Sequence, residues 1–480
     1  MPHVLIIVQN LPLPLDRRVW LEAQALRDAG YRVSVICPMG PGDPPFEILA
    51  GIELHKYPPS PQAQGVLGYA REFAESWLRT AVRARKIWRA GRFDVIQACN
   101  PPDTYWALAR LFRRQGVSFV FDQHDLNPEL FLSRFGIPAT LSQWMQYRIL
   151  LWLERMTYRS AHRVIATNRS YARIAETRGG IPPAEIEVVR SGPDTGAMRP
   201  LMPERGLVPE GRHVVAYLGI MGPQDGVDSL LRSMAYLVHQ LGRRDIHLVL
   251  LGFGDAMDDL LALVDELDIG EWTTFTGRAD KDMIADYLSA ATVGVGPDPK
   301  SALNDVSTMN KIMEYMAFAL PIITYDLTET RVSAGDAAVY VPSGDEEGFA
   351  EAIANLVDDS ERRAELAVAA RERVASELDW EVQRKRYVRV FDGLLGIERS
   401  EEVEPTWPQV DRRKRSPQGG LPADSRGRTA INLRGQEDLT SFAASKGEAD
   451  EEEVTQGDDE PHPTADPDSP PKRPDSSQST

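Results

Sequence analysis

The chain is 480 residues long, too long for one hydrophobic core, so two packed domains are expected. Its 42% apolar and 26% charged residues are ordinary for a globular protein and exclude collagen-like, coiled-coil and wholly disordered architectures. Against 71 Asp and Glu stand 54 Lys and Arg, and the net charge of −17 argues against a nucleic-acid partner, which needs a basic footprint to displace counterions.

In chain order, Val4–Val8 is the first apolar run, short enough for a buried strand and too short for the core of a signal peptide. Asp16–Ala29 carries Val19, Leu21, Ala25 and Leu26 on one helical face, with Gly30 expected as its C-cap. Strands follow at Arg32–Cys37 and Asp94–Cys99, then a helix through Ala107–Arg113 and a strand at Val117–Asp122. A long helix covers Leu141–Arg159, and Val164–Thr167 returns to strand. Arg199–Arg212, rich in Pro, Gly and charge, reads as a linker.

The alternation then restarts. Strands are expected at His213–Leu218, His247–Leu251, Thr274–Thr276, Val293–Val295 and Pro321–Tyr325. Helices start at Val227, Asp258, Asp280 and around Asn310–Phe318, with further helices from Glu346. Such strand–helix alternation predicts an α/β fold, two doubly wound parallel sheets covered on both faces. Domains are drawn at 1–195 and 213–378, joined by a linker at 196–212. Ligands in such sheets sit at the carboxyl ends of the strands, so the site is expected in the cleft between the domains.

Beyond residue 400 the composition changes. Residues 401–480 hold 18 acidic and 10 basic side chains, 10 Pro and only two aromatics, Trp407 and Phe442. So little apolar surface cannot offset the entropy of ordering, and 398–480 is expected to be a disordered, acidic, Pro-rich tail. Cys37 and Cys99 lie in separate strand-like runs, which excludes a disulfide framework and a thiolate zinc site and fits a reducing compartment. No window of about 20 uninterrupted apolar residues exists to span a membrane, so the cytoplasm is the expected location.

Three strand ends in the second half carry the chemistry. After Val293–Val295 a loop runs through Asn304 and Asp305 to a helix opening at Ser307-Thr308-Met309-Asn310-Lys311. Ser307 or Thr308 is the expected N-cap, and free N–H groups beside Lys311 would attract a phosphate. Glu314 faces the same mouth, where a carboxylate can accept hydrogen bonds from two vicinal hydroxyls of a ribose. The simpler reading is a capped helix with a surface Glu. Leu218-Gly219-Ile220-Met221-Gly222 and Leu251-Gly252-Phe253-Gly254-Asp255 are glycine-bearing strand ends where a backbone can approach a ligand.

These residues also carry a resemblance. Asn310-Lys311-Ile312-Met313-Glu314-Tyr315-Met316-Ala317 before Leu320-Pro321-Ile322-Ile323 resembles the donor-site segment of glycosyltransferase family 4, as does Leu251–Gly254 followed by Phe275-Thr276-Gly277. Pro14-Leu15-Asp16-Arg17-Arg18-Val19, Asp122-Gln123-His124-Asp125 and Val189–Asp194 resemble motifs of its first domain and hinge. Trp380 with Tyr387 resembles its last helix, which implies that 379–397 crosses back to the first domain.

The match covers about residues 3–395 and implies a GT-B fold of two Rossmann-like domains facing a central cleft. It implies a retaining, metal-independent transferase acting on a nucleotide-diphosphate sugar, with a saccharide or lipid-linked acceptor. No cofactor or metal is expected beyond that donor. Glu314 would bind the donor ribose, and His124 the transferred sugar with Asp125 orienting its imidazole. Ser307, Thr308, Asn310, Lys311, Gly222, Gly254 and Arg278 would surround the nucleotide and diphosphate. Asn304 and Asp305 would approach the donor sugar, and the loop with Asp16 and Arg17 would shape the acceptor side.

The chain departs from the family pattern at three places. The usual sugar-contacting Glu, eight positions before Glu314, is Val306, and the usual Arg and Lys of the diphosphate clamp are Ile220 and Asp225. A departing diphosphate needs positive charge, and Lys311, Arg278 and Lys300 are the nearest substitutes. Two other readings follow: a nucleotide-sugar epimerase on the same fold, and a non-catalytic relative acting as a partner protein.

For partners, residues 65–92 place Phe73, Trp77, Ala81, Ala84 and Trp88 on one helical stripe among basic residues. Such a helix can lie on an anionic membrane at its inner face, while the simpler reading packs it on its own sheet. Trp144 to Trp152 is a second Trp-rich stretch, able to widen the acceptor side for a lipid carrier.

Overall fold

The computed structural model describes residues 1–59, 65–203, 206–207 and 209–399. Residues 400–480, nearly all of the expected tail, lie outside the described residues.

The first half builds β1 (His3–Ile7), α1 (Arg17–Asp28), β2 (Arg32–Pro38), β3 (Phe46–Leu49), β4 (Ile52–Tyr57), α2 (Gly65–Ala90) and β5 (Val95–Cys99). It continues with α3 (Trp106–Arg113), β6 (Ser118–Gln123), α4 (Asn127–Phe135), α5 (Leu141–Ser160), β7 (Arg163–Ala166), α6 (Arg169–Thr177) and β8 (Ile186–Val188). The eight strands form one sheet in the order β3-β4-β2-β1-β5-β6-β7-β8, parallel except for the β3–β4 hairpin. Every residue of β1 and β5 is buried, because helices cover both sheet faces; this is why those strands read as unbroken apolar runs. One face packs on α1, the other on α2, α3 and α5.

The second half builds β9 (His213–Leu218), α7 (Val227–His239), β10 (Ile246–Leu251), α8 (Met257–Glu266), β11 (Thr273–Gly277), α9 (Lys281–Ala290) and β12 (Val293–Gly296). After these come α10 (Asn310–Ala317), β13 (Ile322–Tyr325), α11 (Thr328–Ala334), β14 (Ala338–Val341), α12 (Glu346–Asp358), α13 (Ser360–Arg373) and α14 (Trp380–Leu395). The six-stranded sheet is parallel throughout, in the order β11-β10-β9-β12-β13-β14. The architecture is therefore α/β, two Rossmann-like parallel-sheet domains in a GT-B arrangement.

Although α14 follows the second domain, it packs on α1 of the first, with Tyr387, Val390 and Phe391 in that core. The Tyr31 hydroxyl donates to Asp392 (2.5 Å), and the Tyr387 hydroxyl donates to Gln97 of β5 (2.5 Å). The fold extends slightly past the expected tail boundary at 398: Arg399 pairs with Asp392 and lies over the Tyr31 ring.

Several elements differ from expectation. Helix α1 ends at Ala29 as C-cap, and Gly30, one residue later, takes the left-handed φ of 85°. The β3–β4 hairpin was not expected; its turn uses positive φ at both Ala50 (49°) and Gly51 (80°), the two-residue geometry that suits strand twist. Helices α4 and α6 also fall in stretches where no helix was expected.

Candidate functional site

The carboxyl ends of β9, β10 and β12, with the tip of α10, enclose a cavity of about 360 Å³. Its wall combines the glycine turns Gly219 and Gly252, the carboxylates Asp225, Asp298 and Glu314, the cations Arg278 and Lys311, and the helix start Thr308-Met309-Asn310. Gly252 has to be glycine, because a Cβ there would stand 1.8 Å from the Gly219 carbonyl oxygen.

Helix α10 begins without a side-chain cap. Met309 is its N-cap residue, so neither Ser307 nor Thr308 caps it as expected. Both hydroxyls serve contacts with the first domain. Thr308 Oγ1 accepts from Asn168 Nδ2 (3.0 Å), and Ser307 Oγ meets the Tyr171 hydroxyl (3.1 Å). Of the first-turn N–H groups of α10, that of Ile312 donates to the Met309 carbonyl (3.1 Å), so the groups ahead of it are the ones that can meet a ligand or water.

Lys311 is buried and already paired. Its Nζ donates to Asp298 (2.7 Å) and sits 4.6 Å from the centroid of the Tyr217 ring. Burial works to lower its pKa, but Asp298 and Asp225 hold the ammonium above its usual value. Burial pushes the Asp225 carboxyl up to about 6, with Lys311 opposing and Asp298 adding to the rise. Ile220, at the other expected clamp position, is exposed beside the cavity. Arg278 is exposed and stacks over Phe253, 5.4 Å from the ring centroid.

Glu314 is half-buried, and burial raises its carboxyl above the usual range against the pull of Arg17. Arg17, the first residue of α1, donates to Glu314 Oε1 (2.5 Å) and so bridges the domains. The next residue, Arg18, turns inward to His124. Its Nε lies 3.1 Å from His124 Nε2, its Nη2 donates to Asp122 Oδ1 (2.9 Å) and its Nη1 donates to the Val189 carbonyl (2.9 Å). Two consecutive residues of one helix thus reach the donor-side carboxylate and the first-domain histidine.

The imidazole of His124 is held by Asp122. Nε2 stands 2.8 Å from Asp122 Oδ2, and Asn100 Oδ1 accepts from the backbone N–H of both His124 and Asp125. Asp122 is the next-to-last residue of β6 and His124 follows directly after the strand, so these two side chains, two positions apart, can meet. Beneath them, Gln97 Nε2 donates to Glu22 (2.8 Å) and to Asp122 (3.0 Å). Burial favours a proton on Asp122, but Arg18 and then His124 keep its carboxyl well below the usual range. Glu22, also fully buried, is raised by burial and by Asp122.

Glu22, Cys99, Asp122 and His124 offer ligand atoms within 4.8 Å of one another, a grouping that spacing along the sequence does not reveal. A metal ion does not fit there, because the Arg18 guanidinium already occupies their midst, 3.0 Å from Glu22 and 2.9 Å from Asp122.

The remaining expected residues have structural work. Gly222 and Gly254 stand outside the cavity wall; Gly254 allows the Met221 backbone to pass, since a Cβ would lie 2.4 Å from its carbonyl oxygen. Asn304 Nδ2 donates to the Gln224 and Pro299 carbonyls, and Asp305 accepts from the backbone and side chain of Thr328 at the start of α11. Neither lines the cavity. Asp16 caps α1 through Val19 N–H (3.1 Å). The stripe Trp77, Ala81, Ala84 and Trp88 of α2 packs into the first-domain core, so that stripe is closed to a membrane.

Comparison with known proteins follows the same division. Residues 15–197 match the model described as Glycosyltransferase Family 4, and residues 212–359 match Glycosyl transferases group 1. The chain is 25% identical over 391 residues to a phosphatidyl-myo-inositol mannosyltransferase of Mycolicibacterium smegmatis, covering 81% of this chain and 92% of that protein. In structure it is similar to sucrose-phosphate synthase from Thermosynechococcus elongatus, with TM-score 0.64, 19% identity, and coverage of 83% of this chain and 100% of that one. Anabaena HepE in complex with UDP-glucose gives TM-score 0.60 at 15% identity, covering 82% of this chain and 100% of that one.

Proposed function

Because the chain belongs to the family 4, group 1 glycosyltransferases, we propose that it is a retaining enzyme moving a sugar from a nucleotide-diphosphate donor to an acceptor hydroxyl. The acceptor is a saccharide or lipid-linked molecule of surface polysaccharide or glycolipid synthesis, met in the cytoplasm, where the two buried free thiols Cys37 and Cys99 are at home. One observation carries this reading: a cavity at the uncapped start of α10 is flanked by Lys311 and by Glu314, which Arg17 of α1 bridges to the first domain, while the next residue, Arg18, reaches His124.

In this reading Glu314 exchanges Arg17 for the ribose hydroxyls. The diphosphate lies on the α10 N–H groups with Lys311 and Arg278 as the nearest cations. His124, its Nε2 tied inward to Asp122, presents the rest of its ring to the sugar. The bond from the anomeric carbon to the diphosphate breaks as the bond to the acceptor oxygen forms on the same face, and the acceptor proton passes to the departing phosphate. Closure of the domains excludes water and aligns the acceptor. The reaction needs no metal.

The test begins with a thermal-shift screen of UDP-, GDP-, ADP- and TDP-sugars, followed by incubation of the stabilising donor with and without acceptors. Transfer with retained anomeric configuration supports the proposal. Conversion of donor without acceptor means an epimerase. Ile220 and Asp225, standing where cations are usual, favour a second reading as a non-catalytic relative; calorimetry showing no nucleotide binding would establish it.

Asp225 also makes binding depend on pH. Its folded-state carboxyl titrates near 6 instead of the ordinary 3.8, so between those values the folded chain holds a proton that the unfolded chain lacks. Stability from this group is present below 3.8 and is lost as pH rises through about 6. Diphosphate affinity moves the same way, because the ionised carboxylate repels the anion. Lowering the pH from 7.5 to 5.5 is expected to tighten nucleotide diphosphate binding by roughly threefold to tenfold, and Asp225→Asn to flatten that dependence. An unchanged pH slope in Asp225→Asn removes Asp225 from this role.

A further inference from the structure

The geometry points to a second functional surface: the outer faces of α2, α3 and α5 form one docking face for an anionic lipid bilayer, with an apolar strip of α5 seated among the headgroups. The strip consists of Leu141, Trp144, Met145, Ile149 and Trp152, each about half exposed or more. Their spacing of three, one, four and three residues keeps all five on one side of the helix, and the opposite side, with Glu154, Thr157 and Tyr158, is buried. Single exposed apolar residues are normal on a protein surface; five on one helical stripe, two of them Trp, form a contiguous patch.

Charge selects the occupant. In a chain with 71 acidic and 54 basic residues, the segments 73–92, 106–114 and 141–160 together hold 12 Lys and Arg but only two acids. Both acids are engaged: Glu75 pairs with Arg79, and Glu154 is buried against Arg178. The three helices cover one face of the first sheet and are stitched edge to edge by Trp88 with Phe112 and Trp106 with Trp152. Their outward sides therefore turn the same way. Exposed Leu78 and Val82 of α2 and Leu111 of α3 add apolar area beside Lys86 and Arg89. Arg148 lies over the Trp144 ring, 5.4 Å from its centroid, an amphipathic pair suited to the boundary between headgroups and acyl chains. Two copies of such a face would repel each other, whereas an anionic membrane matches both the strip and its basic surround.

The surface also connects to the cleft. Helix α4 starts two residues after Asp125 and ends at Phe135, about 13 Å on, and the chain enters α5 through exposed Ile137. The strip thus begins one short helix from His124. On the transferase reading proposed above, this places the acceptor mouth near the bilayer and makes the acceptor a lipid whose hydroxylated headgroup enters the cleft while the donor arrives from solution.

Flotation of the full-length protein with vesicles tests the surface. Vesicles of mixed phosphatidylglycerol and phosphatidylcholine are expected to carry the protein, less so at high salt, and pure phosphatidylcholine vesicles to leave it behind. The W144Q/I149Q/W152Q variant is expected to lose about tenfold or more in vesicle affinity while its nucleotide-sugar thermal shift is unchanged. Charge reversal in R148E/R155E should weaken anionic binding alone. Equal vesicle binding by the triple variant overturns the proposal, as does no binding to either vesicle or a dimer that the triple variant abolishes. Vesicle binding without nucleotide binding leaves the surface standing and the transferase reading refuted; sugar transfer without vesicle binding does the opposite.

Discussion

Replacing Glu314 by alanine should weaken nucleotide diphosphate binding tenfold or more, in line with the ~1.5–3 kcal/mol of hydrogen bonds to a charged group. Glu314 lines this cavity and bridges to the first domain through Arg17. Its place one turn inside α10 puts it beside the ligand while the first-turn N–H groups meet the phosphates. Arg17→Ala is the informative control. If Arg17 only holds Glu314 in the empty cleft, its removal frees the carboxylate, and affinity stays level or rises while Glu314→Ala falls. Calorimetry with the donor nucleotide separates the cases. Undiminished binding in Glu314→Ala removes the residue from the ribose, and parallel losses in both variants make the bridge itself the binding element.

Asp122→Ala is expected to destabilise the first domain by about 3–5 kcal/mol, the range seen when one member of a buried ion pair is removed. At roughly 2–4 °C per kcal/mol for a domain of this size, the melting temperature should fall by about 6–20 °C. The reason lies in how much converges on one buried carboxylate. Arg18 pairs with it, Gln97 donates to it, and His124 rests on it at 2.8 Å. Without Asp122, the guanidinium of Arg18 keeps only Glu22 as its ionic partner. Glu22→Gln should cost much less, because burial and the neighbouring Asp122 already favour its uncharged form. A loss below ~1 kcal/mol in Asp122→Ala, measured by chemical denaturation, would show that the network is not what holds His124 in place.

How much was legible depends on the range of the interaction. The strands β1, β9 and β10 are continuous apolar runs because both of their faces are covered, and that pattern is local in the sequence. Glu314, Lys311 and the glycines of the β9 and β10 ends were likewise visible, since one helix start and two tight turns set their spacing. Among the elements that escaped is the edge strand β3. In β3 the residues alternate between exposed and half-buried, so no buried apolar run marks the strand.

The site residues show the same boundary. Arg18 and Asp122 lie within the motifs Pro14–Val19 and Asp122–Asp125, yet nothing in their spacing says that an arginine on α1 meets a carboxylate 104 positions later on β6. The resemblance points to adjacent Asp125 as the residue that orients His124, and the structure adds Asp122, whose carboxylate lies 2.8 Å from Nε2. Ser307 and Thr308 have the right chemistry for a helix cap, but the first domain, through Tyr171 and Asn168, claimed their hydroxyls. Likewise α2 was read as a stripe with two uses, and packing decided it by turning Trp77 and Trp88 into the core, leaving the exposed apolar strip to α5.

By itself, then, the sequence determined the two-domain α/β architecture, the order of its main strands and the nucleotide-facing helix, because each depends on hydrophobic period and turn chemistry within a few neighbouring residues. Only the tertiary structure decided which side chains oppose one another across the cleft and which apolar face stays open, because those contacts join residues hundreds of positions apart and are set by how the sheets stack.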